Sequence, residues 1–593
     1  MSNLFVDYTI IIFYMLAVVG IGILCTRKDE STKNYLLGDG KIPFFAVGLS
    51  MMMALFSSIS IVQAPGEIFN NSMTYGCFNQ FIIWLQIPIY LMFTAFYAKL
   101  GSFTPYEYLE YRYDSKVRLV VAISAFYAKV VYLGLVLYST AKIFEGIYGW
   151  NAWFTILLVG VIGTIYTVMG GRKAVIWTDV MQFVVLSISL IVIVVYLIKG
   201  IRGGFSEAFV YAFKEGHGFP DFAKKEFYQF TPYVRLLFWL MFFGLLTSPF
   251  NVCSDQTTIQ NLLCTGTNKE RLKSLVVSAV TTNIMCLIIM FFGCGLFTYF
   301  AQNPDAEVLA KGGDVALFRF VFLKVPSPIS GLFMAAMLAA IMSSLDSGIN
   351  SMAAVWLKEF HVKFFNKNIT SEGEIKVLRL ATFIIGLFSI LLALALCVSG
   401  KYLQQSMTEI GTIFWLLGAA TVPAFLFGVL TNRANSAYVW GITFFAIGET
   451  IATNAWYILS RRAVQVWEQD PTVGLGWGGP IAAKYFIIPA VIALILVAPY
   501  LFNKSYRKVK KVIASALVGT IFVGLAFNMF VWWFFSNIEI TDEPKARSFA
   551  FYIPTLILWA IVVFFCPKQP RENYQGLTLA TMKEPILKKL KNN

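Results

Sequence analysis

The chain contains many apolar runs that are long enough to cross a lipid bilayer, and this feature restricts its fold more than any other. The runs extend over about 18 to 28 residues, and about 20 helical residues cross a hydrocarbon core of ~30 Å. Of the 593 residues, 58% are hydrophobic and 13% are charged. That charged share is about half that of a typical soluble domain. The pattern therefore predicts an all-α integral membrane protein embedded in a lipid bilayer and excludes a water-soluble fold.

The apolar runs predict about 15 transmembrane helices. In chain order we place them at about 5–25, 44–68, 77–98, 119–147, 153–170, 175–199, 234–256, 273–300, 328–357, 377–399, 407–430, 437–459, 483–503, 512–535 and 548–566. The first run is preceded by no basic region and followed by no small-residue cleavage pattern. We therefore interpret it as a retained helix rather than a signal peptide.

Basic residues indicate the orientation of these helices. Short loops on the predicted cytoplasmic side carry groups such as Arg172–Lys173 and the cluster within 504–511, whereas short external loops carry only Lys401. Because basic residues concentrate on the cytoplasmic side, this predicts a multi-pass protein of the cell membrane with an external N-terminus and a cytoplasmic C-terminus. The same bias accounts for the net charge of +15 without a nucleic-acid partner. No obligatory protein partner is predicted.

Two consecutive groups of five helices cross the membrane in opposite senses, which is the arrangement of an inverted-repeat transporter. The predicted divisions are an extra N-terminal helix with a cytoplasmic loop at 1–43, a first repeat at 44–199, an external loop at 200–233, a second inverted repeat at 234–430, additional C-terminal helices at 431–566 and a cytoplasmic tail at 567–593.

The second predicted helix carries Ser57, Ser58 and Ser60 near its middle, followed by Pro65. Serine hydroxyls compete for backbone hydrogen bonds and proline lacks an N–H, so this helix is predicted to break near the middle of the membrane. A broken helix exposes carbonyl oxygens that can hold a cation and a polar substrate. The alternative is a kinked helix whose serines bond back by one turn.

The ninth predicted helix carries Ala340, Ser343, Ser344 and Ser347 on one face, because these residues are spaced by i, i+3, i+4 and i+7. Small residues allow another backbone to approach closely, and hydroxyl oxygens are hard ligands suited to an alkali cation. Asp346 adds a carboxylate to the same helix. The alternative interpretation is ordinary packing of small residues.

Asp179 is a further acidic residue in an apolar run, and two roles are open to it. It can pair with Arg172 and Lys173 and anchor the helix at the membrane interface, or it can face the ninth helix.

Catalytic motifs are missing from the sequence. The two histidines, His217 and His361, lie in predicted loops, and there is no zinc-protease motif, nucleophile elbow or phosphate-binding loop. We therefore predict that the protein is not an enzyme and does not use ATP. Uphill transport would depend on an ion gradient, unless the protein is a channel.

Four motifs resemble those of the sodium/solute symporter family, and the resemblance covers most of residues 5–459. They are A-A-I-M-S-S-L-D-S-G-I-N-S at 339–351, Y-T-V-M-G-G at 166–171 before Asp179, S-D-Q-T-T-I-Q-N at 254–261, and the element formed by Pro105, Glu107 and Tyr108. The resemblance implies a leucine-transporter-type five-plus-five inverted repeat with one extra N-terminal helix and four extra C-terminal helices.

The resemblance also implies a sodium site between the second and ninth helices. It would use main-chain oxygens of Met53, Phe56 and Ala340 and the hydroxyls of Ser343 and Ser344. Some members of the family have a second sodium position, which corresponds here to Asp179, Ser343, Asp346 and Ser347. Asp346 stands where well-described members have a hydroxyl, and it could hold either sodium or a proton. Sodium is the only cofactor or metal expected.

The matching substrate positions are Ser57, Ser60, Asn79 and Tyr132. Tyr132 stands where sialic acid carriers of the family place an Arg, which argues against recognition of that kind. We predict a sodium-coupled symporter that imports a small polar organic solute, either a sugar, a polyol or a small carboxylate. The alternatives are a proton-coupled carrier, or a sodium-dependent channel or sensor with the same fold.

Overall fold

A computed structural model describes residues 4–25, 31–70, 72–219, 254–399, 421–436, 439 and 568–586. Regular structure in these ranges is helical, and no strand occurs among them. Seven of the described helices are long and apolar enough to cross a membrane, and a bent pair of shorter helices makes an eighth candidate. The described part of the chain is thus an all-α membrane protein, as predicted.

The described residues before 220 contain nine α-helices. They are α1 (Leu4–Cys25), α2 (Thr32–Leu37), α3 (Phe44–Leu55), α4 (Ser58–Asn70), α5 (Thr74–Leu100), α6 (Tyr106–Arg112), α7 (Ser115–Tyr148), α8 (Ala152–Lys199) and α9 (Gly204–Lys214). The later described helices are α10 (Gln256–Leu263), α11 (Asn268–Gln302), α12 (Ala306–Lys311), α13 (Gly313–Lys324), α14 (Ile329–Val355), α15 (Ser371–Ser399) and α16 (Thr421–Leu430). A π-helical segment, Trp356–Phe365, extends α14.

The 48 residues of α8 form two membrane passes rather than one. A helix of that length would rise ~72 Å, about twice the thickness of the hydrocarbon core. Gly171 divides it, because its φ of 58° and ψ of −164° are not helical. The two halves, 152–170 and 172–199, correspond to the predicted helices 153–170 and 175–199.

The helices predicted within the described ranges are all observed, with ends that differ by a few residues. The predicted helix 407–430 is described over Thr421–Leu430. Almost all of the predicted helix 234–256 and the predicted helices after 436 lie outside the described residues. The total of about 15 helices and the predicted divisions of the chain therefore stay predictions.

The segment predicted as an external loop at 200–233 contains a short helix, and the segment 301–327 between two long helices contains two. Helix α9 lies within 200–233, and its Ala208 carbonyl accepts a hydrogen bond from Thr298 Oγ1 of α11 at 2.9 Å. Helices α12 and α13 lie within 301–327, where Asp305 caps the first of them. These segments are too short or too polar to be recognised as membrane helices, and packing against longer helices stabilises them.

Helix α14 lies in the core, with nearly every residue buried. Its N-terminus is held by Asp7 of α1, whose carboxylate accepts hydrogen bonds from Ser330 Oγ at 2.7 Å and from the Gly331 N–H at 3.0 Å. A carboxylate at this end of a helix is stabilised by the unpaired N–H groups and the helix dipole. Asp7 therefore fixes the start of α14 against the extra N-terminal helix.

The chain forms two compact units, and all of these helix contacts lie in the first. The second unit comprises Tyr106–Ala125, Phe222–Ser254 and Trp415–Asn593. Within it, Arg112 Nε donates to the Gly428 carbonyl at 2.9 Å and Tyr108 donates to the Leu577 carbonyl at 2.7 Å. These bonds attach part of the C-terminal segment to α6.

Candidate functional site

The second predicted helix is interrupted, and the interruption lies at Phe56 and Ser57. The two helices on either side of it, α3 and α4, differ in direction by 75°. Phe56 has an extended backbone, with φ −104° and ψ 98°, and its N–H donates to the Met53 carbonyl at 3.2 Å. The last carbonyls of α3 therefore lose their regular helical partners and become available as ligands.

Helix α14 contacts the interrupted helix at this point. Ser343 Oγ lies 3.2 Å from the Met53 carbonyl and 2.9 Å from the Ala340 carbonyl. Ser344 Oγ lies 3.3 Å from the same Ala340 carbonyl. Of the five residues predicted for the sodium site, the structure joins these four by hydrogen bonds and places Phe56 in the break, in contact with Met53.

The chemistry of this group suits a small hard cation. Met53, Phe56, Ala340, Ser343 and Ser344 offer only carbonyl and hydroxyl oxygens, and all five residues are buried. Hydroxyls that donate to neighbouring carbonyls retain lone pairs that can turn toward a cation. No carboxylate belongs to this group. It should therefore bind divalent cations much more weakly than a site built from carboxylates.

Asp179 faces α14, which decides between its two predicted roles. Its Oδ2 accepts hydrogen bonds from Ser50 Oγ of α3 at 2.5 Å and from Ser347 Oγ of α14 at 3.4 Å. Its Oδ1 is buried and has no hydrogen-bond partner among the described residues. Arg172 acts on the carboxylate only through space. Asp179 thus contacts α3 and α14, and no ion pair joins it to Arg172 or Lys173 among the described residues.

Asp346 is directed elsewhere. Its Oδ1 accepts a hydrogen bond from Thr167 Oγ1 of α8 at 3.4 Å, and Tyr166 of the same helix interacts with the carboxylate. Asp346 and Ser347 are adjacent in a helix, so their side chains diverge by about 100°. The structure therefore brings Asp179 and Ser347 together and keeps Ser343 on the same face one turn away, while Asp346 contacts Thr167.

The predicted substrate residues lie beside the break. Ser57 is buried directly after Phe56 and interacts with Tyr132 of α7 through a side-chain hydrogen bond. The Ser60 N–H donates to the Ser57 carbonyl at 3.0 Å, which places Ser60 on the first turn of α4. Asn79 lies on α5, but its side chain is outside the described part of the structure.

A lysine lies one turn from Tyr132 and was not singled out in the sequence. Lys129 Nζ is 5.6 Å from the centre of the Tyr132 ring and 3.3 Å from Asp255 Oδ1. Asp255 also caps α10 by accepting from the Thr258 N–H at 3.2 Å. A charged residue in the middle of an apolar helix is a signal for function, and Lys129 could have been identified on that ground.

Ser50 and Thr167 were also missed. Each donates a hydrogen bond to one of the two buried carboxylates, Asp179 and Asp346. Both are isolated hydroxyl residues in apolar helices, where the sequence gives no indication of which helix they face. Only the rotation of each helix in the fold identifies them.

Comparison with known proteins places these helices in a family. The sequence model of the sodium:solute symporter family matches residues 35–441, more than half of the chain. A sodium/sialic acid symporter of Aliivibrio fischeri is 29% identical over 435 residues, which cover 72% of this chain and 84% of the relative. The sodium-dependent multivitamin transporter of Oryctolagus cuniculus is 28% identical over 453 residues, which cover 72% of this chain and 67% of the relative.

A solved structure supports the same assignment. A Na⁺-coupled sialic acid symporter, in a substrate-bound outward-open state, matches with a TM-score of 0.67 at 25% identity. The match covers 84% of this chain and 98% of that one, so it includes nearly the whole fold of the neighbour. Together with the family match, this shows that the protein is a multi-pass membrane transporter of the sodium:solute symporter family.

Proposed function

We propose that this protein is a sodium-coupled symporter that imports a small polar organic solute, a sugar, a polyol or a small carboxylate, by alternating access. The observation that carries the proposal is the 3.2 Å contact between Ser343 Oγ and the Met53 carbonyl, made across the break in the second helix. Relatives named as sodium symporters for sialic acid and as a sodium-dependent vitamin transporter support sodium as the co-transported ion.

Sodium would bind the carbonyls of Met53, Phe56 and Ala340 and the hydroxyls of Ser343 and Ser344. These atoms come from two helices, so the ion stabilises the conformation in which α3 and α14 are in contact. A ligand shifts an equilibrium only through a difference in affinity between the two states. Sodium therefore has to bind the outward-open state more tightly and leave as α14 separates from the break in the low-sodium cytoplasm.

A second cation position would be centred on Asp179, with Ser347 and Ser343 beside it. Its support is the unpartnered Oδ1 of Asp179 and the contact of its Oδ2 with Ser347. Asp346 forms the edge of this position from the Thr167 side, and it holds either sodium or a proton.

Solute would bind next to the sodium position, at Ser57, Ser60, Asn79 and Tyr132. Ser57 directly follows Phe56, so an ion held by the Phe56 carbonyl also fixes the backbone that presents the Ser57 hydroxyl. This shared backbone gives a physical reason for sodium and solute to assist each other's binding. Hydroxyl and amide groups discriminate polar solutes by hydrogen bonds that apolar analogues leave unmade.

The wider architecture follows the same proposal. The chain would adopt a leucine-transporter-type five-plus-five inverted repeat in the cell membrane, with its N-terminus outside and its C-terminus in the cytoplasm. The bilayer, sodium and the solute are its proposed partners.

The test uses the full chain in proteoliposomes. A thermal-shift screen of sugars, polyols, carboxylates and amino acids, in sodium and in choline, first identifies a solute. Its uptake is then measured with inward sodium or choline gradients at two pH values. We expect sodium to stimulate uptake at least tenfold at both pH values.

Ser343→Ala removes the hydroxyl that joins the two helices, and we expect it to abolish the stimulation. Ser351→Ala is the matched control, because that buried hydroxyl donates only to the Ser347 carbonyl of its own helix, at 2.5 Å. Full stimulation in Ser343→Ala would reject the sodium position. Uptake driven by a pH gradient in choline would indicate the proton-coupled carrier, flux far above carrier rates a channel, and binding without uptake a sensor.

A further inference from the structure

Arg172 is a fully buried cation without an ionic partner among the described residues. It follows Gly171, at the point where α8 divides into its two halves. Its Nη2 donates to the Thr257 carbonyl of α10 at 3.3 Å. Its Nε and Nη1 are buried and find no acceptor in the described part of the chain. The carboxylates of Asp179 and Asp255 influence it only through space.

The face of α10 that contacts Arg172 is polar, and two of its side chains also lack hydrogen-bond partners among the described residues. Thr257, Asn261 and Cys264 occupy positions i, i+4 and i+7 and therefore share one face. Arg172 contacts the Thr257 carbonyl at one end of this face and Cys264 at the other, and helical spacing places Asn261 between these two residues. Thr257 Oγ1 and both amide atoms of Asn261 are buried and lack partners among the described residues.

A buried guanidinium with two free donors is costly unless something compensates its charge. The Cys264 thiol does not, since burial raises its pKa to about 12 and it stays neutral at physiological pH. Asn261 and Thr257 are neutral and add an amide donor and a hydroxyl. The group therefore combines one buried positive charge with several buried polar atoms that lack hydrogen-bond partners among the described residues.

We propose that Arg172, Thr257 and Asn261, called here the Arg172 site, bind a small monovalent anion. The guanidinium fork would hold the anion through Nε and Nη1, and the Asn261 amide would donate from α10. The anion is either chloride or the carboxylate of a small organic acid, which offer the same acceptor chemistry. Because α8 and α10 both contribute, a bound anion would stabilise their contact. The proposal concerns a site separate from the sodium position and does not depend on it.

The test measures thermal unfolding of the purified full chain at constant sodium, with chloride replaced stepwise by gluconate, a much larger anion. We expect a saturable rise in the unfolding midpoint with chloride, of about 3 to 6 °C at saturation. Acetate and formate added to gluconate buffer form a second arm. Saturation by chloride, by a carboxylate or by both identifies the source of the anion.

Arg172→Gln should abolish the rise, and Arg172→Lys should retain part of it. Asn261→Ala keeps the charge and should weaken the apparent anion affinity about fivefold. Arg271→Gln is the matched control, because the three guanidinium nitrogens of Arg271 are bonded to Leu262, Asn268 and Thr265. It should keep the full chloride effect.

Two results would overturn the proposal. An unfolding midpoint of the wild-type protein that is the same in chloride, acetate, formate and gluconate would mean that the Arg172 site holds water only. Loss of the effect in Arg271→Gln as well as in Arg172→Gln would mean a general effect of charge. The wild-type titration and Asn261→Ala keep the proposal testable if Arg172→Gln fails to fold.

Discussion

At the scale of single residues, Asp179 connects the helices that carry the candidate sodium position. Its carboxylate accepts from Ser50 of α3 and Ser347 of α14, while Asp179 itself belongs to α8. Three helices that are distant in sequence therefore converge on one acidic side chain. Ser50 also lies one turn before Met53, whose carbonyl belongs to the sodium group. The two candidate cation positions are thus linked through the backbone of α3.

The ion pair of Lys129 and Asp255 leads to a prediction at this scale. The pair is about three-quarters buried, with side-chain exposures of 20% and 26%. Removing one partner leaves the other charge poorly solvated, so Lys129→Gln and Asp255→Asn should each destabilise the protein by about 1–3 kcal/mol. The double variant should be destabilised by about 1 kcal/mol less than the sum of the two single variants.

The measurement is a double-mutant cycle on the unfolding midpoint in detergent. Asparagine keeps the cap on α10, so Asp255→Asn reports the charge rather than the loss of the cap. Strictly additive effects of the two substitutions would show that the ion pair contributes nothing to stability.

At the scale of the elements, Gly171 determines how α8 divides. Its φ of 58° with ψ of −164° belongs to a region that only glycine adopts readily. Tyr35 also occupies the space that a side chain at position 171 would need, because a Cβ there would lie 2.9 Å from the Tyr35 ring and 3.0 Å from the Tyr35 carbonyl oxygen. The turn thus depends both on backbone freedom and on the close approach of α2.

Gly171→Ala should therefore destabilise the protein by about 2–3 kcal/mol. The control is Gly146→Ala in α7, where a Cβ meets no atom within 4 Å and the helical backbone suits alanine. That change should be neutral or stabilise by up to about 1 kcal/mol. Unfolding midpoints in detergent compare the two, and equal values for both variants would contradict the role given to Gly171.

The break in the second helix shows what could be predicted from the sequence and what could not. The serine cluster and Pro65 predicted a break near the middle of the helix, and the structure has one at Phe56 and Ser57, where the serine cluster begins. Pro65 lies inside α4. There the neighbouring Gly66 packs against Gly313 of α13 so closely that a Cβ on Gly313 would lie 2.3 Å from the Gly66 carbonyl. The sequence thus predicted the break but not the close packing of α4 beside Pro65.

The candidate site also contains features that could be predicted from the sequence and features that could not. Ser343, Ser344 and Ser347 could be predicted because helical spacing alone places them on one face. The partners of Asp179 and Lys129 could not, because each contact joins helices distant in the chain and depends on how those helices are rotated. The contact of Asp346 with Thr167 is likewise a property of the fold.

At the scale of the whole molecule, one buried helix takes part in every proposed step of coupling. Helix α14 contacts the break through Ser343, contacts Asp179 through Ser347 and is anchored to α1 through Asp7. Movement of α14 relative to the break would therefore release both cation positions together. Coupling of two ions to one solute follows if both positions are filled in the same conformation.

This arrangement predicts a coupling ratio of two sodium ions per solute, falling to one in Asp179→Asn. The amide removes the charge that would hold the second ion, while the oxygens of Met53, Ala340 and Ser343 remain in place. Proteoliposomes with opposing sodium and solute gradients are held at a series of membrane potentials, and the potential of zero net flux gives the ratio.

Asp305→Asn is the control, since that carboxylate pairs with Arg319 outside the membrane-spanning helices and asparagine still caps α12. An unchanged ratio of two in Asp179→Asn would mean that the second sodium ion is still transported without the Asp179 charge. Asp179 would then have no part in binding a coupled ion.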